Sequence, residues 1–204
     1  DDGYDWAQRF DEAAREQVLP LDNRSFARWA SSNRPSLLGD RTQFTFHASD
    51  RPITGPAFPD LAGRSWSVSA DVEANAEDGT LIQNGGRFGG WALIMQQGRP
   101  VFIYKASDSP GDITRIAGPA LPQGRHRIGI SLSDGGIGKP GKASMSIEEK
   151  AAGEAVIPRT IPVLIRGDAS IGRSFDKLDG SFEAPFPYAA SIHGVQIKLD
   201  GAKE

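Results

Sequence analysis

The stretch SWSVSADVEA, residues 65–74, constrains the fold more than any other part of the chain. Trp66, Val68, Ala70 and Val72 fall on one side, and Ser65, Ser67, Ser69 and Asp71 on the other. An unbroken period of two places alternate side chains on opposite faces of an extended backbone, so the stretch predicts a half-buried strand. HRIGISLS repeats the pattern with His126, Ile128, Ile130 and Leu132 inward, and KASMSIEE does so with Ala143, Met145 and Ile147. WALIMQQ and VFIYK are apolar almost throughout, as central strands covered on both faces are. Near the end, Ile192 is out of phase with Val195, Ile197 and Leu199, and His193–Gly194 between them predicts a β-bulge.

The 24 Gly and 14 Pro among 204 residues have no collagen period, so they imply many turns. Short strands so punctuated, with no helical stretch between them, predict an all-β fold: an antiparallel jelly-roll sandwich over residues 42–204. The opening differs. In YDWAQRFDEAAREQVLPLD, Trp6, Phe10 and Ala14 lie on one helical stripe, Asp1, Asp2 and Asp5 favour a helix N-terminus, and Pro20 stops the helix. Residues 1–41 are therefore expected to be one α-helix followed by a connecting segment that wraps over the surface.

The formal net charge of −3, with both signs interspersed, argues against a nucleic-acid partner. No apolar run has the length of a membrane span, which argues against a membrane partner. The absence of cysteine removes disulfides, thiolate metal sites and a cysteine nucleophile together. A first residue of Asp rather than Met suggests a processed or excised product.

GGRFGG places Gly85, Gly86, Gly89 and Gly90 around two residues. A phosphate loop needs a helix after it, so that backbone N–H groups and the helix dipole converge on the anion. Here two strand-like runs follow, joined at Gly98, so the four glycines are expected to form a structural turn with close backbone approach. In GGIGKPGKA, Gly136, Gly141 and Lys142 fit the spacing of a nucleotide-binding loop, but Ala143 stands where a magnesium-binding hydroxyl is needed.

The remaining chemistry-bearing residues are weighed against plainer roles. His47, His126 and His193 are scattered and have no metal-ligand spacing, so surface or edge positions fit them better than a metal site or a catalytic triad. Glu148 and Glu149 are adjacent, and strand alternation would point them to opposite faces, which excludes a glycosidase pair. DKLDG, Asp176 to Gly180, could offer oxygens to calcium, though a turn is its commoner meaning. Trp66 and Trp91 fit a core better than a sugar-stacking platform. Asn23 opens a glycosylation sequon, which acts only in a eukaryotic secretory setting. No catalytic, cofactor-binding or metal residue is assigned.

RFDEAAREQVLPLDNRSFARW, Arg9 to Trp29, resembles the segment that closes the catalytic domain of bacterial arylsulfatases, with Pro20, Leu21, Asp22 and Arg24 in its turn. LIQNGGRFGGWALIMQQGRPVFIY resembles the glycine-rich hairpin of the all-β domain that follows in that family, and LPQGRHRIGISLS and IPRTIPVLIRGDASIGRSF resemble its later strands. The resemblance implies a lectin-like jelly roll, concanavalin A or laminin G in shape, that acts as a non-catalytic accessory to a sulfatase. Its partner would be the sulfatase catalytic domain, docked through Trp6, Phe10 and Ala14, in a periplasmic or extracellular setting. The family's Cys/Ser-x-Pro-x-Arg motif is missing from this chain, so the formylglycine and calcium of a parent sulfatase would lie outside it. Ser174 stands where relatives of that kind show Asp. The alternative is a stand-alone lectin-like module whose partner is a glycan.

Overall fold

The computed structural model describes residues 38–136, 139–162, 165 and 167–200. Trp6, Phe10, Ala14, Asn23 and the expected N-terminal helix lie outside the described residues. Eleven strands are found among the described residues: β1 (Gln43–Phe46), β2 (Ser65–Ala74), β3 (Gly79–Gly86), β4 (Gly89–Gln96), β5 (Arg99–Lys105), β6 (Ile113–Ala117), β7 (Gly124–Ser133), β8 (Gly141–Ile147), β9 (Lys150–Ile157), β10 (Ala169–Ile171) and β11 (Ile192–Asp200). They form a six-stranded sheet in the order β1-β11-β2-β7-β8-β9 and a five-stranded sheet in the order β10-β3-β4-β5-β6. Every pairing between these strands is antiparallel.

The core lies where the inward faces of the two sheets meet, and alternation puts it there. In β2 every second residue is buried, Trp66, Val68, Ala70 and Val72 among them. The first three pair across β7 with Leu132, Ile130 and Ile128, so the apolar face continues from strand to strand, and Val72 faces the half-buried His126 at its end. The five-stranded sheet adds Leu93, Met95 and Phe102 from its inner face. Trp66 and Trp91 meet at the centre with ring centroids 4.7 Å apart, and Phe102 borders both. Both tryptophans are buried core residues. The expected bulge in the last strand is present, since the β11–β2 register shifts between Ile192 and Gly194.

Glu148 and Glu149 correct the expectation made for them. They do not continue β8 with alternating faces. They are the two-residue turn between β8 and β9, with φ of 49° and 64°. Both residues thus adopt the left-handed conformation that type I′ hairpins require and that Asn or Gly fills more easily. Gln97 and Gly98 turn the β4–β5 hairpin in the same way, with φ of 53° and 69°.

Candidate functional site

The outer face of the five-stranded sheet is closed by the chain itself. Ala92, Ile94, Val101 and Ile103 point away from the core, and Leu178 and Phe182 from the segment between β10 and β11 cover them as a second hydrophobic layer. Phe186 stacks on Phe182 at 5.1 Å between ring centroids. The segment is pinned by polar contacts at several points. Ser174 is buried, and its Oγ accepts the Phe186 N–H at 3.0 Å. Gln83 Nε2 donates to the carbonyls of Gly85 and Asp176, each at 2.9 Å. Arg115 pairs with Asp179, whose Oδ1 also accepts from the N–H and the hydroxyl of Ser181. Of the two carboxylates of DKLDG, Asp179 is thus committed to an ion pair and a turn, and Asp176 Oδ2 accepts the Arg87 N–H.

The four glycines lie at the end of the β3–β4 hairpin, around Arg87 and Phe88. Gly85, Gly89 and Gly90 have φ of 89°, 133° and 147°. A Cβ on Gly90 would stand 2.2 Å from the Asn84 carbonyl oxygen, and one on Gly85 would stand 2.3 Å from the Gly89 carbonyl oxygen. Gly86 has an ordinary φ, but a Cβ there would stand 2.2 Å from Asp176 Oδ2. Two amides of the hairpin have protein acceptors: Gly85 N–H donates to the Asp168 carbonyl at 3.1 Å and Arg87 N–H to Asp176 Oδ2 at 3.1 Å. Lys105 is buried, and its Nζ donates to the Arg87 carbonyl at 2.7 Å. Close backbone packing, with these two amides turned to protein acceptors, differs from an anion cradle, in which successive N–H groups converge on the ligand.

Among the described residues no segment covers the outer face of the six-stranded sheet, and its polar pattern follows from the registers. One row across the strands reads Gln43, Lys198, Ser67, Ser131, Ser144, Glu154. The next reads Thr45, Gln196, Ser69, Gly129, Ser146, Ala151. Both rows have small residues at the centre and longer polar ones toward β1 and β11. This leaves a depression of about 470 Å³ whose border includes Gln43, Gln196, Lys198, Arg127 and Glu149. A second depression of about 430 Å³ lies over β8 and β9 and shares Ser144, Ser146 and Glu149 with the first. Serine hydroxyls both donate and accept, so the floor suits a ligand rich in hydroxyl groups. No aromatic ring lies on this floor apart from Phe44, which is itself a core residue.

Charge on this face is unevenly paired. Asp71 accepts from Arg125 Nε at 2.8 Å and Nη2 at 2.6 Å, and this guanidinium holds the Asp71 carboxyl below its ordinary range. Glu148 Oε1 accepts the Arg127 backbone N–H at 3.0 Å and stands 3.4 Å from His126 Nδ1. The Arg127 guanidinium and the Lys198 ammonium make no hydrogen bond or ion pair among the described residues, and both border the depression. Sequence reasoning passed over them, because a single Arg or Lys in a strand is an ordinary solvent-facing residue until the register places it beside a row of serines.

The three histidines stay apart. His193 Nε2 stands 3.5 Å from Glu73 Oε2, His126 Nε2 is 3.0 Å from the Pro122 carbonyl, and His47 follows β1 on the surface. Among the described residues no three His, Asp or Glu side chains gather as a metal site would require.

No protein-family model matches the chain. Over 148 residues it is 35% identical to a histidine–tRNA ligase of Pelotomaculum thermopropionicum, a match that covers 71% of this chain and 31% of the ligase. The chain thus spans about a third of that relative's length. Among solved structures it is similar to the CBM40 domain of the Ruminococcus gnavus IT-sialidase bound to α2,3-sialyllactose, with a TM-score of 0.51, 14% identity, and 78% of this chain and 93% of that one covered. It is also similar to the LG1–3 region of the laminin α2 chain, with a TM-score of 0.50, 15% identity, and 79% and 32% covered. None of these three proteins is a sulfatase. With its two antiparallel sheets and these neighbours, the chain has a lectin-like, laminin G-like jelly-roll β-sandwich fold.

Proposed function

We propose that this chain is a glycan-binding module that presents the outer face of its six-stranded sheet to a saccharide. One observation carries the reading: Leu178 and Phe182 cover one sheet, while among the described residues the other carries an uncovered depression floored by Ser67, Ser69, Ser131, Ser144 and Ser146. A concave site with several converging hydrogen-bonding groups is what a polyhydroxylated ligand needs. The CBM40 neighbour, whose structure holds sialyllactose, supports the same class of ligand. The likeness to a tRNA ligase covers only 31% of that protein, so it does not carry the ligase activity over to this chain.

A glycan array comparing the wild-type chain with Ser131→Trp tests the proposal. Ser131 is exposed at the centre of the floor, so the indole should fill the depression while the core stays intact. Loss of saccharide binding at unchanged melting temperature is expected. Binding that survives the substitution would move the site elsewhere.

The accessory-domain reading rests on a different feature, the likeness of Arg9–Trp29 to the end of a sulfatase catalytic domain. It would assign Trp6, Phe10 and Ala14 to docking, and it is compatible with an open sheet that binds the sulfated substrate of a partner domain.

A further inference from the structure

Resting on the glycan-binding reading, we infer that the ligand is an internal stretch of a linear acidic polysaccharide, lying across the strands and held by Arg127 and Lys198. Three features of the open face lead there. The first is shape. The two depressions share Ser144, Ser146 and Glu149, and together their linings run from Gln43 and Thr45 on β1 to Gly153 and Glu154 on β9. Five interstrand spacings make a trough about 24 Å long. Both its ends are edges of the sheet, because β1 and β9 are the outermost strands, and none of the described residues forms a wall there that could recognise a chain terminus.

The second feature is the missing platform. Modules that bind neutral sugars can stack rings on exposed tryptophan or tyrosine. Here both described tryptophans are buried in the core, and the floor is made of serine and glycine. Affinity must therefore come from hydrogen bonds and charge, and only charge-assisted bonds are strong singly.

The third feature is a pair of cations, Arg127 and Lys198, whose charged groups make no hydrogen bond or ion pair among the described residues, although Arg127 lies opposite Asp71 and within reach of its charge. Asp71 already holds Arg125 and Glu154 already holds Lys142, which leaves Arg127 and Lys198 facing the floor with Glu149 as the one carboxylate bordering the main depression. The registers put Arg127 two strands across and four residues along from Lys198, a Cα separation of about 16 Å by strand geometry. Two cations on opposite sides of a trough suit acidic groups on separate units of one polymer. A guanidinium can take a carboxylate or a sulfate through two parallel bonds.

Calorimetric titration with three oligosaccharide series of increasing length tests this: uronic-acid oligomers, sulfated neutral-sugar oligomers and unmodified neutral oligomers. Affinity should rise with length until the trough is filled, for one or both acidic series and not for the neutral one. It should fall as salt is added. Arg127→Ala should lose about tenfold or more, as expected for a charge-assisted pair. Lys198→Ala should lose affinity less steeply, and blocking the chain ends of a long oligomer should change nothing. The two acidic series decide whether carboxylate or sulfate is the group held. Neutral oligomers binding as tightly as acidic ones, with Ser131→Trp abolishing both, would overturn the inference and leave the glycan-binding module standing. Affinity that is already maximal for a single terminal sugar would do the same. No binding of any series would remove both readings.

Discussion

Gly90 and Gly124 both adopt backbone conformations that side chains avoid, yet they should tolerate alanine very differently. At Gly124 φ is 126° and a Cβ would meet nothing within 4 Å, so only conformational strain opposes a substitution. At Gly90 the strain is joined by a backbone oxygen 2.2 Å away, which cannot move without opening the β3–β4 ladder. Gly90→Ala should therefore cost about 2–3 kcal/mol and Gly124→Ala about 1 kcal/mol, as read from urea midpoints. Equal costs would mean that crowding at the hairpin is easily relieved. Among the charges, Asp71 sets a dependence on pH. Its hydrogen bonds from Arg125, and then the guanidinium's charge, hold the folded-state pKa below the unfolded value near 3.9. A depressed acid stabilises the fold above that value and loses its contribution as pH falls through the folded pKa. Stability should thus drop below about pH 4, and Asp71→Asn should flatten that part of the profile. An unchanged acid limb would show that other carboxylates dominate it.

The cover over the five-stranded sheet does the work of a third layer without being a strand or a helix. Leu178 is 1% exposed, and its apolar neighbours lie on β4 and β5 and in the covering segment itself. Leu178→Ala should cost about 2–4 kcal/mol, the range for an aliphatic side chain removed from a packed interior. Amide exchange should then rise selectively in residues 173–187 rather than across the six-stranded sheet. The β8–β9 turn makes the opposite prediction: Glu149→Gly should stabilise by about 0.5–1 kcal/mol, because φ of 64° is easy only without a Cβ. These elements differ in how far the sequence reveals them. β2 and β7 are legible because one face of each is dry and the other wet, and β4 and β5 because both of their faces are covered. β9 is not legible: Ala151, Ala152, Gly153 and Ala155 have little preference for a strand, and the edge pairing with β8 holds them there. The covering segment gives no period at all, since Leu178 and Phe182 act as isolated anchors in an irregular chain.

The described sandwich divides labour between its sheets, one covered by Leu178 and Phe182 and the other uncovered among the described residues. That asymmetry could not be read from sequence, because it depends on registers. Ser67, Ser131 and Ser144 are ordinary polar alternates in three separate strands, and only pairing sets them side by side with Lys198 at the end of the row. The fold class needs less, since alternation and turn density suffice. The apolar residues of the described core, from Phe44 to Leu199, come from both sheets and interleave early and late parts of the chain, so the sandwich should melt as one cooperative unit. It follows that a chain beginning at Leu38 should fold with a melting temperature close to that of the full sequence and bind the same saccharides. If the likeness of Arg9–Trp29 to a sulfatase segment is meaningful, that shortened chain should lose only the capacity to associate with a separately produced sulfatase catalytic domain. Loss of folding on truncation would instead make part of residues 1–37, with Trp6, Phe10 and Ala14 among the candidates, a component of this domain's own core. A calorimetric melt of both forms, followed by a pull-down with the catalytic domain, separates the outcomes, because a core residue changes the first measurement and a docking residue only the second.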